Sequence, residues 1–188
     1  MLKNIVTVLL ALVLGVASAA AAQDRKELQV FRDISDSVNR YTQFTIYDSV
    51  DASVARGHVV LDGWVTMPFK KDDIEKRVRN IAGVDTVDNR IQVLPVSQFD
   101  DELRFRIARA IYGNSAFWNY AAMANPPIHI VVNGGRVTLQ GVVQSNVERQ
   151  LARSLATGFG EFEVKNQLKT DAEAQAELER IGSDGTKN

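Results

Sequence analysis

Side chains able to do chemistry are few in this chain, and they are thinly spread. There are two histidines and no cysteine. His58 and His129 each fall on the outward row of a predicted strand, and neither has further ligands at a spacing that would close a metal site. Asp33, Asp36, Asp48 and Asp51 follow no calcium-loop pattern and read as solvated surface. Gly134-Gly135 joins two strands rather than a strand and a helix, so it reads as a hairpin turn and not as a phosphate loop. No nucleophile can be paired with a base. The sequence therefore offers no catalytic residue, no metal site and no cofactor site, and it points away from an enzyme.

The densest unusual stretch is aromatic. Tyr112, Phe117, Trp118, Tyr120 and Met123 fall close together, and Pro126-Pro127 closes the segment, in a chain with 7% aromatic residues. The predicted helix before it carries Arg104, Arg106 and Arg109, with Asp100, Asp101 and Glu102 beside them. Two readings stand. In one, the rings fill a gap between two halves of the chain. In the other, some enter a membrane interface, where Trp and Tyr are favoured because one end is apolar and the other wet. On that reading Phe117, Trp118, Tyr120, Arg104, Arg106 and Arg109 are the candidate lipid contacts, the arginines meeting phosphates.

The elements that must position these residues come from a repeat. Gly57-His58-Val59-Val60-Leu61-Asp62-Gly63-Trp64-Val65 and Gly135-Arg136-Val137-Thr138-Leu139-Gln140-Gly141-Val142-Val143 both read Gly-x-Val-x-Leu-x-Gly-x-Val, 78 residues apart. Alternation of this kind marks a half-buried strand. Gly63 and Gly141 fall in the inward row, where glycine implies close approach by another backbone or a packed helix. A preceding strand, predicted over 44–54, aligns through Val50, Ala52 and Val54 with Ile128, Ile130 and Val132. Val87-Asp88-Asn89-Arg90-Ile91 matches Val164-Lys165-Asn166-Gln167-Leu168 in a closing strand, predicted as one run over 84–94 in the first copy.

Helical periodicity supplies the rest. Residues 24–40 form a predicted helix burying Leu28, Phe31, Ile34, Val38 and Tyr41. Residues 100–112 form another, burying Leu103, Ile107, Ala110 and Ile111. Between hairpin and closing strand lie helices with Ile74, Val78 and Ile81, and with Val147, Leu151 and Leu155. Ser145 and Glu148 make a capping box for the latter. The fold class is thus α+β: two tandem αββαβ modules, each a three-stranded sheet covered by two helices. Their bounds are 25–96 and 97–170, followed by a polar C-terminal tail over 171–188, in which residues 171–181 could form a short helix and 182–188 are expected to be mobile. Trp64 and Val60 on one outward row, and Val142 on the other, are the predicted packing residues between modules.

Residues 1–22 read as a signal peptide. Lys3 gives a positive start, residues 5–16 an apolar run, and Ala20-Ala21-Ala22 a cleavage site before Gln23. The formal net charge is −1, and −2 once Lys3 is removed with the leader. No bulk positive field draws the chain to nucleic acid.

Together these motifs resemble the BON domain, named for bacterial osmotically induced and nodulation proteins, in tandem over about residues 25–170. The resemblance implies a periplasmic or outer-membrane location, phospholipid binding, and a role in envelope integrity or osmotic stress. It brings no catalytic residues. With no cysteine for lipid attachment, the expectation is a non-enzymatic, soluble periplasmic protein that touches an anionic phospholipid surface peripherally. The alternative is a protein-interaction or chaperone-like stress module with an envelope protein partner and no lipid binding.

Overall fold

The computed structural model describes residues 27–181. The expected leader and the expected mobile end over 182–188 lie outside them. The first unit runs α1 (27–39), β1 (Ser49–Ala55), β2 (His58–Val65), α2 (Pro68–Arg79), β3 (Thr86–Asn89) and β4 (Gln92–Val93). The second runs α3 (Gln98–Tyr112), a 3-10 turn (Ser115–Phe117), α4 (Trp118–Ala121), β5 (Ile128–Asn133), β6 (Arg136–Val143), α5 (Asn146–Leu155), β7 (Glu163–Asn166) and β8 (Lys169–Thr170). Helix α6 (Asp171–Ile181) follows.

Each unit is an α+β layer pair. β1 pairs antiparallel with β2, and β3 and β4 pair parallel with β2 on its other side. β5, β6, β7 and β8 repeat this order. The hairpin turns have positive φ at Arg56 and Gly57, and at Gly134 and Gly135, which suits the right-handed twist of the strands they join. The glycines inside β2 and β6 have their cause in the adjoining strand. A Cβ on Gly63 would overlap the Ser49 carbonyl oxygen, and one on Gly141 would overlap that of Pro127.

The closing strand of each unit is broken in two, not continuous as expected, and an asparagine does it. Asn89 Oδ1 accepts from the Ile91 amide, while its Nδ2 donates to the Lys71 carbonyl and to Glu75. Asn166 repeats the device: its Oδ1 accepts from the Leu168 amide and its Nδ2 donates to the Arg149 carbonyl. The kink turns Ile91 and Leu168 into the cores and ties strand to helix.

Each unit has its own apolar core. In the first, Val30, Ile34, Val38, Val59, Leu61, Ile74 and Val78 meet. Val30, not Phe31, leads the buried stripe of α1, because Phe31 lies a further 100° around the helix and is only half-buried. In the second, Leu103, Ile107 and Ile111 of α3 pack on Ile130, Val132, Val137 and Leu139. Val147, expected in the stripe of α5, is 76% exposed, and Ala152 takes the buried place. The polar region after Thr170 begins with a helix over the residues the sequence offered for one, Asp171–Ile181. α6 is held by Glu173 on Arg149 at 2.7 Å and by a Glu177–Lys169 pair.

The expected strand over 44–54 begins only at Ser49. Asp48 folds the chain before it. Its buried carboxylate accepts from the amide and hydroxyl of Thr45, the amide and hydroxyl of Thr66, and Lys70 Nζ at 2.7 Å. This carboxylate is fully buried, so it is not the solvated acid the sequence suggested.

Candidate functional site

The outer face of α3 differs from that of α1. Ser97 caps its N-terminus by accepting from the Asp100 amide. Asp100, fully buried, accepts from the amides of Gly134 and Gly135 and so fixes the helix to the hairpin turn. Arg104 Nη2 donates to the Val132 carbonyl at 2.6 Å, and Nη1 pairs with Asp101. With these contacts on the core side, Phe99, Phe105, Arg106 and Arg109 are left on the exposed side.

The six candidate lipid contacts separate into two groups. Phe117 is 0% exposed, Tyr120 5% and Arg104 4%. These three lie within the second unit, so they are corrected from surface to interior. Phe117 is pulled in with the second core. Tyr120 donates its hydroxyl to Glu148 and accepts from the Gln144 amide. Burial and that carboxylate push Tyr120 up to about 12. Arg104 is drawn in by the Val132 carbonyl. Trp118 at 63% exposed, Arg106 and Arg109 lie outside. Phe105, which sequence reading passed over, is 67% exposed. Its signal was present: on α3 it falls opposite the Leu103, Ile107, Ile111 stripe, where a polar residue is the norm.

Trp64, Val60 and Val142 are half-buried on their outward rows. The hydrogen bonds and ring contacts between units fall on other residues. The Ile130 amide donates to the Ile46 carbonyl at 2.6 Å. Phe44 lies against the His129 ring at 5.4 Å, and Tyr47 stands edge-on to Phe105 at 5.7 Å. Asn125 donates to the Asn39 carbonyl, and Gln140 to Asp51 at 3.4 Å. Ile46 and Tyr47, from the chain of the first unit, pack against the core of the second. Burial pushes His129 below its ordinary value, against the opposing pull of the Asp48 and Thr45 backbone and the Asp48 and Asp51 charges.

A groove of about 680 Å³ opens at this joint, within the few-hundred to thousand Å³ range of small-molecule sites. Tyr47 and Phe105 line it together with Asp101, Glu102, Arg106 and Arg109. Glu102 lies 3.9 Å from Arg106, and the Arg106 guanidinium sits over the Phe159 ring at 5.2 Å. Arg109 has no carboxylate within ion-pair distance among the described residues. The matched core positions Val30, Ile34 and Val38 against Leu103, Ile107 and Ile111 align α1 with α3. Arg106 and Arg109 then stand where α1 has Asp33 and Asp36, and Phe105 where it has Arg32.

Among the described residues no group of three histidines or acids could hold a metal ion, and no helix is long and apolar enough to cross a membrane. Fold and surface define a class: a tandem of two α+β modules of one topology, the second modified on its outer helix. The chain belongs to the BON domain family, which it matches over residues 32–95 and again over 100–172. No curated protein matches it. Among solved structures it is similar to CdsD, a structural protein of the type III secretion system of Chlamydia trachomatis. Identity is 14%, over 80% of this chain and 97% of that one, with a TM-score of 0.29. The C-terminal domain of CdsD gives 12% identity over 73% and 94%, with a TM-score of 0.26.

Proposed function

We propose that this protein is a non-enzymatic periplasmic module that binds anionic phospholipid at a membrane surface and supports the envelope under osmotic stress. The observation that carries this reading is the outer face of α3, where exposed Phe99 and Phe105 stand beside Arg106 and Arg109 on one helix. Aromatic rings at such a place favour the boundary between headgroups and acyl chains, and the arginines suit lipid phosphate. Exposed Trp118, which follows the 3-10 turn and opens α4, offers a further ring. The surface is mixed in charge, so binding is weak, reversible and salt-sensitive.

Vesicle flotation tests this. The protein should float with phosphatidylglycerol vesicles, less so at high salt, and poorly with pure phosphatidylcholine. Arg106→Gln combined with Arg109→Gln should lower binding about thirtyfold, taking about 1 kcal/mol per cation near the surface. Unchanged flotation of that folded variant would remove α3 from the mechanism. A protein-interaction role remains the second reading, favoured by the acids Asp101 and Glu102 on the same groove. It expects no vesicle binding and a crosslinked envelope protein.

A further inference from the structure

We infer that the groove at the joint is a two-part lipid site, in which Tyr47 of the first unit completes a surface that the second unit alone leaves open. This rests on the membrane reading above and adds where one lipid sits and why the units come as a pair.

Both units set the position of Tyr47: its amide donates to Thr45 Oγ1 of the first unit at 3.3 Å, and the second unit holds the segment beside it. The amide of Ile130 on β5 holds the Ile46 carbonyl at 2.6 Å. Phe44 is fixed against His129 on one side of this contact, and Tyr47 against Phe105 on the other, with ring planes at 69°. Tyr47 and Phe105 thus form an apolar wall from two different units. Arg106 and Arg109 line the same groove from α3, beside Phe105. The groove's acids are partly answered internally, Asp101 by Arg104 and Glu102 by Arg106. Arg109 is the cation left over. One anionic headgroup matches one unanswered cation, with the upper part of an acyl chain against the Tyr47–Phe105 wall.

Among the described residues the arrangement occurs once. At the matching places α1 has Arg32, Asp33 and Asp36, and the counterpart of Tyr47 by the hairpin offset is Asn125. An anionic lipid would meet two carboxylates on α1 where α3 gives it two guanidinium groups.

The test uses the full chain and vesicles containing phosphatidylglycerol. Tyr47→Phe should bind like the parent. Tyr47→Ser should bind roughly three- to tenfold more weakly, with Arg106→Gln/Arg109→Gln as the reference for loss of the headgroup contact. If Tyr47→Ser binds like the parent while the arginine variant loses binding, the two-part site is wrong and the membrane reading stands. If the parent itself binds no vesicle, both fall. Because Tyr47→Ser risks loosening the joint, a second measurement leaves Tyr47 intact. The chain lacks cysteine, so Gln98→Cys on the groove rim carries a single fluorophore. Brominated phosphatidylglycerol should quench it, and a label that stays unquenched on vesicle-bound protein would overturn the proposal.

Discussion

At the scale of residues, most of the specification lies in glycines and buried polar groups. Gly63 at φ 132° and Gly141 at φ 114° combine a left-handed backbone with a neighbouring carbonyl where a Cβ would go. Gly63→Ala and Gly141→Ala should each cost on the order of 3 kcal/mol, read by urea unfolding, since strain and overlap add. Asp48 is the other fixed point. Burial works to raise its pKa, but the Lys70 ammonium and the Thr66 and Thr45 donors together hold it below the usual carboxylate value. A carboxylate depressed in the folded state adds stability above its unfolded pKa, and this is lost as pH falls through the folded value. Acid unfolding below about pH 4 should therefore shift in Asp48→Asn. At neutral pH that variant should lose about 3–5 kcal/mol, because Lys70 is left buried and unpaired.

At the scale of elements, the 3-10 turn and α4, which have no counterpart in the first unit, are best understood against Asp48. The Thr66 amide, which Asp48 satisfies in the first unit, corresponds to the Gln144 amide in the second. There Tyr120 and Glu148 accept from it. Pro126 stands where Asp48 would be, and Glu148 where Lys70 would be. The turn and α4 thus deliver a hydroxyl to a place the first unit fills with a carboxylate, and Phe117 goes inward with them. Phe117→Ala should cost about 3–5 kcal/mol, whereas Trp118→Ala should leave thermal stability within about 0.5 kcal/mol. The expected stripes of α1 and α5 each misplaced one residue, Phe31 and Val147. The hairpin turns, strands β2 and β6 and the Leu103–Ile107–Ile111 stripe of α3 were legible in the sequence because period 2 and period 3.6 are local properties. The fate of Phe117, Tyr120 and Arg104 was not. Each is decided by a partner far along the chain: the second core, Glu148 and the Val132 carbonyl. Density of aromatics signalled that the segment mattered but not which rings turn inward. The broken closing strand was missed for a similar reason, since Asn89 and Asn166 reach back to helices 14–18 residues earlier.

At the scale of the whole molecule, the joint makes the units interdependent. Ile46 belongs by sequence to the first and by packing to the second. Ile46→Ala should lower the melting temperature of the second unit, seen as loss of amide-exchange protection in β5. His129 ties this to pH. Its folded pKa is depressed, mainly by burial, so the unfolded chain binds the extra proton first and stability falls as pH drops below about 6.5. His129→Gln should flatten that slope between about pH 6.5 and the folded value, measured as thermal stability against pH. A strand that ends a sheet exposes unpaired amides and invites other chains to add to it. β5 is such a strand, and the Ile46 carbonyl occupies the amide of Ile130. A proteolytic cut between residues 43 and 49 would free the Ile130 amide, while the Ile128 backbone stays bonded to the Tyr112 hydroxyl and the Val132 carbonyl to Arg104. The residues that join the units thus also cover part of an exposed sheet edge, and nicked protein should form thioflavin-positive assemblies under conditions in which the intact chain stays dispersed.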